Sequence, residues 1–197
     1  MSALKKERVG ARYTYADYQT WGDDTRVELI DGVIYNMAAP SQKHQWLLFE
    51  LGALFREHLK SRGAGCRVLV APSDVRLNSD KADDTVVQPD LFIVCDKNKL
   101  DGQNCNGAPD LVVEILSPST ASRDRVLKFN QYLAAGVREY WIIDMRDNTI
   151  QVHTLTDEKY TTRSYAQLEE DDRPQVPVGI FEGFSIDLVA LFAVMEF

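Results

Sequence analysis

Two acidic residues of this sequence sit inside apolar runs. Glu114 interrupts Leu111-Val112-Val113 and Ile115-Leu116, and Asp90 opens Leu91-Phe92-Ile93-Val94 behind Gln88-Pro89. An ionised carboxylate left alone in such a setting costs several kcal/mol or is driven to take up a proton. Two carboxylates on neighbouring strands can instead converge on a divalent ion. Hard cations such as Mg²⁺ take oxygen ligands and keep several waters, which suits one or two acids plus a substrate phosphate. Arg125, Lys128 and Tyr132 recur at i, i+3 and i+7 of a helical stretch, on the side away from Val126 and Leu133. From there Lys128 could stabilise phosphate charge or orient the attacking water. Glu28, on an alternating strand, is a further acid able to complete a metal shell.

Each of these residues also has a plainer use. Glu114 could form a buried ion pair with an arginine such as Arg125. Asp90 could cap a turn after Pro89, and Lys128 and Glu28 could be solvated charges. His44 falls one turn into a helix, where it is either a satisfied polar residue or an auxiliary group facing a cleft; Gln88 and Tyr132 are auxiliary candidates of the same kind. Ser117 and Ser119 flank Pro118 without a GxSxG context or an evident base, so helix capping is their expected use. His58 and His153 have no zinc-ligand spacing.

The elements that must position these groups can be read from pattern. In VELIDGVIY, Asp31-Gly32 separates alternating apolar residues, the mark of a hairpin whose tight turn needs positive φ. Leu47, Leu51, Leu54, Phe55 and Leu59 keep helical spacing between Ser41, the expected N-cap, and Lys60. Strands are expected in CRVLVA, DVRL, TVVQPDLFIV, PDLVVEIL and EYWIID, and the near-continuous apolar PDLVVEIL predicts a strand covered on both faces. A second helix is predicted over 123–135, burying Val126, Phe129 and Leu133 and stopping at Gly136. TIQVHTL and YTTRSY read as a hairpin, and SIDLVALFAVMEF as a short strand leading into a helix. Polar loops are expected at 78–84, 96–108 and 169–175.

Composition bounds the partners. The 197 residues are 45 % hydrophobic and 26 % charged, with 30 acidic against 22 basic side chains and a net charge of −8. That is ordinary globular composition, and it argues against a broad basic surface that coats nucleic acid. A confined basic strip near Arg123, Arg125 and Lys128 is still compatible with phosphate binding. The three cysteines form no CxxC pair, which fits a reduced, cytoplasmic setting. No window approaches the ~18 apolar residues of a membrane span, so no membrane partner is expected.

Taken together, VQPD at 87–90 and PDLVVEILSPST at 109–120, with ELIDG at 28–32, APSQKH at 39–44, Arg123-Asp124, Lys128 and GVREYWIID at 136–144, resemble the PD-(D/E)XK nuclease superfamily. The likeness is closer to its restriction endonuclease-like family of small bacterial proteins and covers most of 25–156. The resemblance implies that Asp90, Glu114 and the backbone carbonyl of Ile115 hold Mg²⁺ or Mn²⁺, that Glu28 assists, and that the substrate is DNA. The motif's Lys position is occupied by Leu116 here, and the resemblance implies that its role passes to Lys128, with Arg125 the lesser substitute. The expected architecture is one α/β (α+β) restriction-endonuclease-like domain: a mixed central sheet flanked by helices, a core over about 25–156, an N-terminal hairpin, and a hairpin and helix added over 157–197. A homodimer is expected from the resemblance, with the aromatic hairpins and the apolar tail LVALFAVMEF able to supply its interface; a C-terminal helix buried in the same chain explains that tail equally well. The alternative is a catalytically inactive module of the same fold that binds nucleic acid or protein, favoured by Leu116 and the acidic balance.

Overall fold

Asp31 and Gly32 adopt φ of 50° and 72°, the double positive-φ geometry that matches the twist of paired strands. The hairpin they close is the first sheet element of a computed structural model describing residues 11–22, 25–63, 65–117 and 121–196. The chain runs α1 (Tyr15–Tyr18), β1 (Val27–Ile30), β2 (Val33–Asn36), α2 (Gln42–Ser61), β3 (Arg67–Val70), β4 (Asp74–Arg76), β5 (Val86–Val87), β6 (Leu91–Val94), β7 (Asn104–Asn106) and β8 (Leu111–Ile115). A π-helical turn, Arg123–Lys128, then runs into α3 (Phe129–Ala135), followed by β9 (Glu139–Asp144), β10 (Thr149–Thr156), β11 (Lys159–Tyr165), β12 (Gln175–Pro177), β13 (Ser185–Asp187) and α4 (Leu188–Ala193).

Six strands form the main sheet in the order β11-β10-β9-β8-β6-β3, and five form a second sheet, β2-β1-β5-β4-β7. The sheets are mixed: β8 lies parallel to β9 and β4 to β7, while the other pairings are antiparallel. Period-2 alternation divides the main sheet between two cores. Leu91, Ile93, Leu111, Val113, Ile115, Trp141 and Ile143 face the α2 residues Leu47, Leu51 and Phe55. Phe92, Val94, Val112, Tyr140 and Ile142 face the opposite way, onto Tyr132, Val137 and the second sheet's Ile30, Val75 and Val87. Both faces are covered, which is why PDLVVEIL reads as continuously apolar.

Ser41 caps α2 as expected, its Oγ accepting from the His44 N–H at 3.2 Å. Gly136 ends α3 at φ 84°, the left-handed position where a Cβ would be strained. No described helix is long and apolar enough to cross a membrane.

Several expectations are corrected. Cys66 and Cys95 are joined by a disulfide and Cys105 alone is free, because the β3–β6 register pairs Arg67 with Val94 and sets positions 66 and 95 opposite each other one step further. Val126 is 55 % exposed rather than buried, because the opposite face of this helical stretch, with Asp124, Lys128 and Tyr132, is the one turned inward. The 96–108 loop contains β7, which pairs with β4. The apolar tail is spent within the chain, since Leu188, Leu191, Phe192 and Met195 pack into the core under α2. The Ser119 capping expectation lies outside the described residues.

His153 on β10 is packed among the rings of Phe129, Tyr140 and Tyr160, with Nδ1 2.7 Å from Thr162 Oγ1. Burial, with a smaller push from Arg125, pulls its imidazole down from 6.5 to about 4. Between those values the unfolded chain binds a proton that the folded chain does not, so stability falls as pH drops through that window. Thermal unfolding from pH 7 to 4 is expected to show that loss, and the His153→Gln variant to flatten its slope.

Candidate active site

The antiparallel register that pairs Leu91 with Val113 carries Asp90 to the level of Glu114 at the end of the β6–β8 ladder. There the Asp90 Oδ2 accepts the Ile115 N–H at 2.7 Å, and its Oδ1 lies 3.1 Å from His44 Nε2. Glu114 projects from β8 toward the opposite core face from Val113, among Val112, Leu116 and Tyr132. It is buried, and its Oε1 accepts from Lys128 Nζ at 2.8 Å and from the Tyr132 hydroxyl at 2.6 Å. Glu28, buried on β1, comes from the second sheet: its Oε1 accepts the Gln88 N–H at 3.0 Å and lies 2.7 Å from Lys128 Nζ.

Lys128 is therefore the centre of the cluster. Two of its three ammonium protons can serve Glu28 and Glu114, and Asp124 Oδ1 stands 3.6 Å away on the preceding turn. Burial by itself would lower the Lys128 ammonium, but Glu114, Glu28 and Asp124 together hold it well above the usual lysine range. Burial pushes the Glu114 carboxyl up against the pull of Lys128, and the nearby Asp124, Asp90 and Glu28 charges push the same way. The Tyr132 hydroxyl, raised by burial and by Glu114, remains a proton donor.

The rotation of this helical stretch decides which residues enter. A 3.6-residue period puts Val126, Phe129 and Leu133 on one face and Asp124, Lys128 and Tyr132, spaced i, i+4 and i+8, on the opposite one. The structure buries the second face, through the π turn of Arg123–Lys128 and on into α3. Asp124 is the cluster member that the sequence pattern assigns only to the helix start, although its place four residues before Lys128 sets it on the same face.

Other expected residues are divided between the pocket and its surroundings. Arg125 is directed outward, donating to Gln151 Oε1 at 2.9 Å and to Asp144 Oδ2 at 3.1 Å, so it neither pairs with Glu114 nor joins a basic strip. Gln88 contributes its backbone N–H to Glu28, while its side chain turns to Asp74 and Tyr18. Arg123 lies 3.3 Å from Glu28 Oε2 and donates to the Asn36 carbonyl at 3.2 Å. Glu28, His44, Asp90, Glu114, Ile115 and Lys128 all line one pocket of about 230 Å³, together with Arg26, Arg123, Ser117 and Asp124.

A sequence profile for Uma2, a family described as "Putative restriction endonuclease", matches residues 15–189. This chain belongs to the Uma2 family. An uncharacterized protein of Synechocystis sp. (strain ATCC 27184 / PCC 6803 / Kazusa) is 33 % identical over 118 residues, covering 59 % of this chain. The chain spans 60 % of that relative's length. A crystal structure titled as a putative nuclease belonging to DUF820, from Anabaena variabilis ATCC 29413, superposes with a TM-score of 0.73 at 19 % identity, covering 92 % of this chain and 98 % of that one. That likeness shows a shared fold, and with the family match it bears out the expected restriction-endonuclease-like architecture.

The pocket can be tested against the divalent ion that such a fold implies. Among the described residues, no three His, Cys, Asp or Glu side chains form a ready metal cage. Mg²⁺, however, is commonly held by one or two carboxylates and otherwise by water and phosphate oxygens. Asp90 and Glu114 open on one pocket in which four carboxylates outnumber the permanent cations Lys128, Arg123 and Arg26. This Uma2 pocket therefore fits a hard cation in both donor type and charge.

Removing the ammonium should expose the conflict it resolves. Lys128→Ala leaves two buried glutamates facing each other, and the expected cost at pH 7 is about 3–5 kcal/mol of unfolding free energy. Because uncompensated carboxyls titrate high, their contribution is favourable while they are protonated and is lost as pH rises through their folded pKa. Denaturant unfolding of Lys128→Ala should therefore recover toward wild type at acidic pH; a deficit unchanged with pH would contradict the electrostatic account.

Proposed function

We propose that this protein is a Mg²⁺- or Mn²⁺-dependent endonuclease that hydrolyses DNA phosphodiester bonds. The observation that supports it most is the meeting of Asp90 and Glu114 in one pocket beside a buried, fully charged Lys128. In this reading Asp90, Glu114 and the Ile115 carbonyl hold the ion, which when bound supplies an acidified water and polarises the phosphate.

The chain's own residues do the rest. The Ile115 N–H and His44 fix both Asp90 oxygens, so that carboxylate enters the reaction already oriented. Tyr132 and Lys128 fix Glu114 in the same way. Lys128, 2.7 Å from Glu28 and 2.8 Å from Glu114, places positive charge where the phosphoryl oxygens gain negative charge. Arg123 and the exposed Arg26 border the pocket and are the phosphate-orienting cations, a role that Arg125 cannot share from its place beside Asp144. Glu28 positions Lys128. The remaining parts of the proposal are a homodimer, supported by the exposed Phe49 of α2 and Val70 of β3, and a cytoplasmic setting, against which the Cys66–Cys95 disulfide weighs.

A second reading, a catalytically inactive binding module of the same fold, is favoured by one observation: Lys128 is already engaged by Glu28 and Glu114. Plasmid cleavage in Mn²⁺ and calorimetric Mn²⁺ titration separate the two. Asp90→Ala and Glu114→Gln should each lower cleavage by at least about 100-fold, the scale of one lost electrostatic group in catalysis, and weaken Mn²⁺ binding, with circular dichroism unchanged. Undiminished cleavage in both variants would exclude the assignment, and wild type that neither binds Mn²⁺ nor cuts would favour the binding module.

A further inference from the structure

Beside the acidic pocket lies a second one of about 430 Å³, within the ~300–1,000 Å³ range of small-ligand sites. Tyr15, Tyr18 and Trp21 supply its aromatic wall; Tyr18 lies 5.5 Å from Trp21 and 6.1 Å from Tyr15 between ring centroids. Asp74, Gln88 and Asn104 supply polar edges. The polar groups are held in place: Gln88 Nε2 donates to Asp74 Oδ1 at 2.8 Å, the Tyr18 hydroxyl donates to the same oxygen at 3.1 Å, and Asn104 Nδ2 donates to the Tyr15 hydroxyl at 2.8 Å. No described residue donates to the other carboxyl oxygen, Asp74 Oδ2.

Gln88 is common to both pockets. Its backbone N–H holds Glu28 on one side and its side chain holds Asp74 on the other. Successive residues of β1 divide likewise, Glu28 lining the first pocket and Val27 the second. An aromatic wall with a fixed acceptor at its edge, next to a phosphate site, has the composition of a base-binding pocket.

We propose that the second pocket binds a nucleobase bearing an exocyclic amino group, stacked on Tyr18 and Trp21, with that amino group donating to Asp74 Oδ2. Guanine, adenine and cytosine carry such a group. Thymine presents only an N–H between two carbonyl oxygens, which the carboxylate repels. The base belongs to a nucleic-acid strand whose phosphate enters the first pocket, so the proposal rests on the phosphodiester reading of that pocket; a free nucleotide offers the same chemistry.

Calorimetric titration of the full chain with dGMP, dAMP, dCMP, dTMP and deoxyribose 5-phosphate tests it without any cleavage step. The amino-bearing nucleotides should bind at least about tenfold more tightly than the sugar phosphate, the scale of one base stacked on an aromatic ring, and about tenfold more tightly than dTMP, the scale of one hydrogen bond to a charged group. Trp21→Ala should remove most of the advantage over the sugar phosphate, and Asp74→Asn should abolish discrimination against dTMP while leaving circular dichroism unchanged. Equal affinity for all five ligands, no binding by wild type, or discrimination that survives Asp74→Asn would each overturn the proposal. Short oligo-dA, oligo-dC and oligo-dT distinguish the source: preference for dA and dC strands supports a strand-borne base, whereas preference confined to mononucleotides overturns that part. Wild type that discriminates bases yet cuts no DNA in Mn²⁺ counts against the nuclease reading while upholding the base pocket.

Discussion

One buried ammonium ties the two sheets to the helix between them. Lys128 Nζ lies 2.7 Å from Glu28 of β1 and 2.8 Å from Glu114 of β8, and it is carried by the π turn that leads into α3. Either glutamate alone in that interior would protonate or destabilise the fold, and the lysine alone would lose its proton. Their mutual attraction outweighs desolvation only because the geometry is close and further bonds satisfy the remaining sites. Tyr132 on Glu114 and Gln88 on Glu28 supply them. Three elements distant in sequence must therefore dock in one arrangement for the charges to be tolerated.

The same arrangement explains why the pocket is rigid and acidic. The main sheet is covered on both faces, so the backbone around Asp90 and Glu114 has little room to move. Asp90 is held by a backbone N–H and by His44 at the first turn of α2, which links the helix on one face of the sheet to the acid cluster on the other. A site prepared in this way concentrates negative charge in about 230 Å³ and has few permanent cations to balance it. The neighbouring aromatic pocket shares Gln88 with it, so the two are built on one strand connection rather than on independent loops.

Much of this was legible in the residues. Asp31-Gly32 gave the hairpin because two adjacent positive-φ positions admit few other residues. Ser41 and Gly136 marked helix ends because capping chemistry is local. Glu114 stood out because an acid in a two-sided strand demands a partner. Less legible were Val126, Arg125 and Asp124, because the spacing offers two opposite faces of this stretch and only packing against the sheets buries the one that carries Asp124, Lys128 and Tyr132. The Cys66–Cys95 bridge and the β4–β7 pairing were equally hidden, since each joins residues about thirty positions apart through sheet register.

The sequence by itself determined which residues conflict with burial: Glu114, Asp90 and Glu28 in apolar strands, and a lysine on the helix that follows. Residue type and alternation are local properties, and the cost of a buried charge follows from them directly. Only the tertiary structure decided how the conflict is resolved. Lys128, rather than Arg125, meets the glutamates, Asp124 turns in beside it, and His44 takes Asp90. Those partners depend on strand order, register and helix rotation, which are set by the packing of the whole chain and not by any segment of it.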